Sequence, residues 1–404
     1  MNAAVETLLL FLLLITSIPV AVFFVQVVAA LSGPKNAAPI ESETDELARP
    51  VQRPRVAVLV PAHNEAAGIA VTLASVSGQL MPGDRLLVVA DNCTDDTARI
   101  ARNAGAEIAE RHNFKLRGKG YALDFGVRCL EDDPPEVVVV VDADCMLNAG
   151  ALDRLARKTA ATGRPVQALY MMLSPKDDGM NRRMAEFAWI IKNKVRPLGY
   201  RRLSLPCQLM GSGMSFPWAA INKAALANDQ IVEDLKLGID LARQGVSPIF
   251  CPDAEVVSYF PESEEGAVTQ RTRWVHGHLG MIASDALGLL ATGLLARKLG
   301  VIAMALDLCV PPLSLLMLWT MAMCFVGLLW QWFSGSWVIL IAAAVLFVIQ
   351  SLAIALCWLR YGRHLFGVGN LQSGLRYIVG KIPLYYKFFV DRQIEWVRSK
   401  RDQE

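Results

Sequence analysis

Val56-Ala57-Val58-Leu59-Val60-Pro61-Ala62-His63-Asn64-Glu65 decides how this chain is read. Five consecutive apolar residues are too few for a membrane helix and lack the alternation of a half-exposed strand. Such a run fits a strand buried on both faces of a parallel sheet. Leu86-Leu87-Val88-Val89-Ala90 and Val137-Val138-Val139-Val140-Val141 share that character. Residues 66–79, 95–104 and 119–130 carry helical spacing, with Thr94 or Asp95 available as a cap. Strand alternating with helix predicts a doubly wound α/β domain, whose ligands gather at the carboxyl ends of the strands.

At those ends stand Pro61, Ala62, His63, Asn64 and Glu65, then Asp91 and Asn92, then Asp142, Ala143 and Asp144. No GxGxxG follows the first strand and no GxxxxGK[ST] occurs, which argues against a dinucleotide oxidoreductase and a P-loop NTPase. Asp142 and Asp144, two apart at a strand end, can turn both carboxylates to one side. That makes a hard oxygen site suited to Mg²⁺ or Mn²⁺ shared with a diphosphate. Read alone, the same residues are equally a helix-capping turn, since Asn148 and Gly150 follow, and Asp91 is equally a cap.

The 404 residues include 40 basic and 38 acidic side chains, a formal charge of +2, so nothing points to a nucleic-acid partner. An apolar fraction of 53% with 19% charged residues marks a chain part membrane-embedded and part water-facing. Its eight cysteines lack metal-ligand spacing and read as reduced cytosolic thiols. Residues 8–31 and 338–359 are free of charge and long enough, at about 1.5 Å per residue, to cross a hydrocarbon layer of about 30 Å. Residues 299–332 hold one charge, Asp307, and Pro311-Pro312 should divide them into two helical pieces. Asp307 is either a functional intramembrane acid or an interfacial one. Residues 279–296 read as a helix lying in the interface, or as a short fourth crossing.

Basic residues set the orientation. None lies in the turn 333–336, nine lie between Arg360 and the C-terminus, and Lys35, Arg49, Arg53 and Arg55 follow the first span. The expected arrangement is an outside N-terminus, a transmembrane helix at 1–32, a linker at 33–54, a cytosolic domain at 55–280 and an interfacial helix at 281–298. Two transmembrane helices at 299–360 and a basic amphipathic tail at 361–404 complete it. Arg376, Lys381, Lys387 and Arg392, interleaved with apolar residues, suit an anionic bilayer surface.

In chain order PAHNEA (61–66), ADNCTDDT (90–97), RGKGYAL (117–123), DAD (142–144), VEDLKLG (232–238) and QRTRW (270–274) resemble the family 2 inverting glycosyltransferases. The set is similar to the membrane-bound branch that includes cellulose, chitin and hyaluronan synthases, over about residues 55–280. The resemblance implies a GT-A type domain and a nucleotide-diphosphate sugar as donor, a UDP-sugar first among them. Asp91 would contact the base, Asp142 the ribose and Asp144 the Mg²⁺ or Mn²⁺. Asp234 would be the base, within a motif that carries Val232 where the family has Thr.

Chemistry gives these residues work to do. Inverting transfer is a single displacement, so the acceptor hydroxyl must lose a proton as it attacks, and Asp234 or Glu233 can take it. Adjacent on a helix, the two point about 100° apart, so only one reaches the acceptor. Gln270, Arg273 and Trp274 share one helical face, where Arg neutralises a leaving diphosphate and Trp walls the sugar. Lys119 is a candidate diphosphate or base contact. Gly211 and Ser212 are expected beneath the acceptor, with Pro61, Ala62, Asn64 and Glu65 lining the donor side. His276 and His278 are within reach of the phosphates by sequence position but read first as surface residues. The expected product is a sugar added to a saccharide or lipid-linked acceptor at a bacterial-type inner membrane. A processive synthase, a nucleotidyltransferase and a non-enzymatic scaffold are the competing readings.

Overall fold

The computed structural model describes residues 2–33, 52–174, 179–261 and 263–393. Most of the 33–54 linker, with Lys35 and Arg49, and the tail residues Trp396, Arg398, Lys400 and Arg401 lie outside the described residues. In chain order the elements are α1 (Asn2–Leu31), β1 (Val56–Ala62), α2 (Ile69–Ser77), β2 (Arg85–Asp91), α3 (Thr97–Asn103), β3 (Glu107–Arg111), α4 (Lys119–Arg128), β4 (Val137–Val140), β5 (Met146–Leu147), α5 (Ala151–Thr162), β6 (Val166–Leu173) and α6 (Met180–Ile190). A π-helical turn, Ile191–Val195, leads into α7 (Arg196–Arg202), β7 (Met214–Pro217), α8 (Trp218–Ile221), α9 (Glu233–Arg243), β8 (Ile249–Tyr259) and α10 (Glu264–Leu295). Then come α11 (Leu299–Leu308), α12 (Leu313–Ser334), α13 (Val338–Cys357), a second π-helical turn (Trp358–Gly362), α14 (Leu371–Val379) and α15 (Ile382–Val390).

The chain forms two compact units. The first holds the described residues among 52–174 and 204–277, built on one eight-stranded sheet of order β3-β2-β1-β4-β7-β6-β8-β5. Strands β3, β2, β1 and β4 are parallel, as the valine-rich runs predict, with Val58 opposite Leu86 and Val139 opposite Leu59's neighbour Val58. Leu59, Val89, Val138 and Phe216 are buried together with Leu123 and Val127 of α4, closing one face of the sheet. The other half is mixed: β7 runs antiparallel to β4 and β6, β8 is parallel to β6, and β5 is antiparallel to β8. The sheet is therefore mixed, where continuous doubly wound strands were expected. β7 has only four residues, and β8 interrupts its apolar content with Asp253 and Glu255 beside a register shift at Ala168/Leu169, so neither makes an apolar run.

The second unit comprises the described residues among 2–33, 179–203 and 278–393. Residues 179–203, inside the stretch read as one 55–280 domain, pack here, with α7 against α1. Among the described residues four helices are long and apolar enough to cross a membrane: Ala3–Leu31, Glu264–Leu295, Leu313–Ser334 and Val338–Gly362. The helix expected at 281–298 thus begins at Glu264, continuous with QRTRW. Pro311 and Pro312 separate α11 from α12 as expected.

Two contacts fix strand-like polarity among these helices. Ser336 Oγ donates to Glu6 Oε1 at 2.9 Å at one end, and Arg360 Nη2 donates to the Gly33 carbonyl at 3.2 Å at the other. α1 and α13 are therefore parallel, with α12 antiparallel to α13. α10 and α11 form a hairpin through a turn at Arg297 (φ 53°), and His278 Nε2 donates to the Leu308 carbonyl at 3.2 Å, so α11 returns to the level of His278. Asp307 is paired: Arg196 Nη2 stands 2.7 Å and Gln26 Nε2 2.5 Å from its Oδ1. It ties α1, α7 and α11 together rather than standing alone.

Candidate active site

The rim of the first unit carries two clusters. At the end of β2, Asp91 lies opposite Arg111 of β3 in register, and Arg111 Nη1 stands 2.6 Å from Asp91 Oδ1. The guanidinium also covers the Tyr121 ring at 5.6 Å and donates to the Leu116 carbonyl. Asp91 thus belongs to a salt-bridged ledge instead of capping a helix. Thr97 N–H donates to Asp95 Oδ1 at 3.0 Å, so Asp95 takes the capping work. The loop after β1 is laced to the same turn: Asn64 Oδ1 accepts from Thr94 N–H at 2.7 Å and Glu65 N–H donates to Thr97 Oγ1 at 2.7 Å. Pro61 and Ala62 lie within β1 itself, Ala62 nearly inaccessible, so their part is to carry the loop.

The second cluster gathers residues from four distant parts of the chain. Lys119, the first residue of α4, places Nζ 2.5 Å from Asp142 Oδ1 and 3.5 Å from Glu233 Oε1, and donates to the Gly211 carbonyl at 2.7 Å. Gly211 has φ 96°, a backbone state natural only to glycine, and a Cβ there would stand 3.4 Å from Asp234 Oδ2 and 3.9 Å from Asp142 Oδ2. Ser212 Oγ accepts the Asp142 N–H at 3.1 Å. Lys119, Asp142, Gly211, Ser212, Glu233 and Asp234 are thereby brought together.

The electrostatics of this knot follow from its crowding. Burial works against the Lys119 ammonium, but Asp142 and Glu233 outweigh it and hold the amine protonated well above the usual lysine range. Burial also pushes the Glu233 carboxyl up to about 7, against the pull of Lys119 and helped by Asp234. Asp142 is raised by burial and by Asp144. Among the described residues Asp234 makes no hydrogen bond or ion pair, whereas its neighbour Glu233 faces Lys119.

Ligand atoms of Asp142, Asp144 and Cys145 lie within 4.8 Å of one another. Burial raises the Cys145 thiol well above its normal range, and its Sγ donates to Asp144 Oδ1 at 3.6 Å. What the group offers is therefore two carboxylates and a neutral thiol, a donor set that fits Mg²⁺ or Mn²⁺ through oxygen.

Gln270, Arg273 and Trp274 share a helical arc with Gly277, and Gly277 is seated on Val232: a Cβ there would stand 3.1 Å from Cγ2 of that residue and 3.3 Å from Cγ1 of Ile231. Val232 directly precedes Glu233, so the QRTRW face is turned toward the segment that delivers both acids. Gln270 is buried, and among the described residues Arg273 Nε is buried without a hydrogen-bond partner. His276 is fully buried and His278 is bonded to the Leu308 carbonyl, contrary to the surface reading of both.

Sequence reasoning missed Arg111 and Gln167. Arg111 ends a strand with no apolar run. Gln167 is buried in β6, where its Oε1 accepts the Met210 N–H at 2.8 Å and its Nε2 donates to the Ser212 carbonyl at 2.9 Å, holding the glycine loop. Only their pairing in space marks them.

A sheet of this order with carboxylates at its rim defines a GT-A-like α/β domain, and the model of glycosyltransferase-like family 2 matches residues 54–277. The chain belongs to that family. It is similar to the probable glycosyltransferase YdaM of Bacillus subtilis, 28% identical over 247 residues, covering 56% of this chain and 55% of the relative. It is also similar to the uncharacterized glycosyltransferase Rv0539 of Mycobacterium tuberculosis, 35% identical over 122 residues, covering 28% and 51%. The matches thus span about half the length of these relatives. Among solved structures, mannosyltransferase PcManGT from Pyrobaculum calidifontis in complex with GDP-Man and Mn²⁺ superimposes with a TM-score of 0.52 at 18% identity, over 94% of this chain and 100% of that one. That likeness extends the shared fold beyond the sheet.

Proposed function

We propose that this chain is an inverting glycosyltransferase that moves a sugar from a nucleotide-diphosphate sugar to a lipid-linked saccharide on the cytosolic side of a membrane. The observation that carries it is the division between two adjacent acids. Glu233 is engaged by Lys119, while Asp234 keeps its carboxylate unengaged beside Gly211, as a base for an incoming hydroxyl must. In this reading Asp234 takes the acceptor proton as the hydroxyl attacks the anomeric carbon. Lys119 and Arg273 stand ready for the charge of the departing nucleoside diphosphate, and the Asp91–Arg111 ledge receives the base. Asp144, with Asp142, would hold Mg²⁺ or Mn²⁺, which when bound offsets diphosphate charge. PcManGT, bound to GDP-Man and Mn²⁺, supports both the donor class and the metal.

The polarity of the helices supports three crossings. α1 and α13 are parallel and α12 opposes them, so with α1 entering from outside, α13 also ends on the cytosolic side, as its basic tail requires. The α10–α11 hairpin then returns to the side it left, and the N-terminus is outside. This supports a multi-pass placement in an inner membrane.

Purified protein given a panel of radiolabelled nucleotide sugars and a lipid-linked saccharide should release a discrete product into the organic phase. No transfer from any donor would defeat the proposal. A processive synthase of the cellulose, chitin or hyaluronan type is the second reading, favoured by QRTRW. Against it, Leu13, Met323, Ile339 and Ala343 close an apolar seam between α1, α12 and α13, in which polar side chains meet in separate pairs such as Trp319–Thr16 and Thr320–Gln350. A hydrated polymer needs a polar-walled path. A ladder of products at low enzyme-to-acceptor ratio would reverse this preference.

A further inference from the structure

The second unit contains two π-helical turns, Ile191–Val195 and Trp358–Gly362, a rare conformation that recurs at functional sites. They meet. Lys194 of the first lies over the Tyr361 ring of the second at 5.7 Å, and a Cβ at Gly362 would stand 2.8 Å from Phe187, which leads into the first turn. Both lie at the boundary where α1 and α13 end, since Arg360 Nη2 donates to the Gly33 carbonyl. Trp358 and Phe366 stack beside them at 6.5 Å, with Trp358 Nε1 donating to the Phe366 carbonyl, an aromatic shelf typical of headgroup depth.

The charge at this junction is one-sided. Residues 179–203 carry seven basic side chains and one acid, Glu186. Among the described residues neither Lys194 nor Arg360 has a carboxylate partner. Capping of α1 accounts for part of this: Arg202 donates to the Ala29 and Ala30 carbonyls and Arg360 to that of Gly33. Among the described residues it leaves Arg360 Nε and the Tyr361 hydroxyl buried without hydrogen-bond partners. Two cations without a carboxylate partner and a phenol without an acceptor among the described residues, beside an aromatic shelf at the bilayer edge, form a set that a phosphate oxygen completes.

We propose that Lys194, Arg360 and Tyr361 bind the phosphate head of a membrane lipid, and, on the functional reading above, that this lipid is the polyprenyl diphosphate bearing the acceptor sugar. A diphosphate suits the pair better than a single phosphodiester, because Lys194 and Arg360 come from different helical turns and can each take one phosphate.

The test uses the full chain in zwitterionic nanodiscs, with binding of a polyprenyl diphosphate followed by native mass spectrometry. Lys194→Gln and Arg360→Gln should each weaken it about tenfold and Tyr361→Phe about threefold. Affinity for a nucleoside diphosphate with Mn²⁺ should stay at the wild-type value in all three, which also reports their folding. Unchanged lipid affinity in both Lys194→Gln and Arg360→Gln overturns the site. Competition by phosphatidylglycerol as effective as that of the polyprenyl diphosphate overturns the acceptor assignment, and equal competition by inorganic pyrophosphate overturns a lipid site altogether. Should no nucleotide sugar react while the variants still lose lipid, the transferase reading fails and the site stands.

Discussion

Lys119 and Asp142 are in contact, 2.5 Å from Nζ to Oδ1, although 22 residues of helix and strand separate them in sequence. The contact joins the start of α4 to the end of β4, two elements on neighbouring parts of the sheet. Because the same ammonium also reaches Glu233, one lysine pairs with two of the three acids around it and, among the described residues, makes no ion pair with Asp234. The roles of the acids therefore differ through partnership rather than through residue type, and substitutions should separate them.

Asp234→Asn should lower transfer by about 10²–10⁴-fold, the usual contribution of a general base, with donor affinity nearly unchanged. Calorimetric titration with nucleoside diphosphate beside turnover measurements separates the two. Turnover above about a tenth of wild type would pass the base role to Glu233.

Activity should require a divalent cation, and Asp144→Ala should raise the concentration needed far more than Asp142→Ala. Asp142 already shares its charge with Lys119, whereas Asp144 is the carboxylate that the resemblance assigns to the metal. Full activity in excess chelator would reduce the DAD motif to a structural turn.

Glu233 links stability to pH. Its carboxyl has an ordinary value of 4.5 and is lifted to about 7 in the fold. Between those values the folded chain keeps a proton that the unfolded chain has lost, so stability falls as pH rises across the window. Glu233→Gln removes that dependence, and its Tm relative to wild type should climb from pH 5 to pH 8. A constant difference would mean that Glu233 ionises normally.

Asp307→Asn should destabilise the second unit by roughly 3–5 kcal/mol, because it leaves Arg196 largely buried without its counter-charge. Replacing both by apolar residues, Asp307→Leu with Arg196→Met, should recover most of the loss in a detergent melt. Equal losses for the single and double variants would show that the pair itself supplies the stability.

The parallel half of the sheet was legible because β1, β2 and β4 are continuous apolar runs, and the acids behind them sit where strand ends must present them. β3 and β8 hid because Glu107, Glu110, Asp253 and Glu255 face outward at a sheet margin, and no period of apolar residues survives. Asp142, Asp144, Glu233 and Asp234 were found from motif order, but the Lys119 bridge and the Asp91–Arg111 ledge depend on register between distant strands. The segment 179–203 escaped entirely. Its apolar residues are interleaved with Arg and Lys at helical spacing, which a single sequence cannot distinguish from an ordinary surface helix.

That segment has a consequence for how the protein is made. β7, β8 and the helix bearing Asp234 are synthesised after residues 179–203, so the first unit cannot complete its sheet until the chain has passed through the second unit and come back. Closing of the catalytic sheet therefore follows the synthesis of α6 and α7, the elements that leave it for the second unit. A fragment cut at 52–277 would carry Phe187, Trp189 and Ile190 without the helices that bury them, and should leave the ribosome as an aggregating species rather than as a soluble transferase.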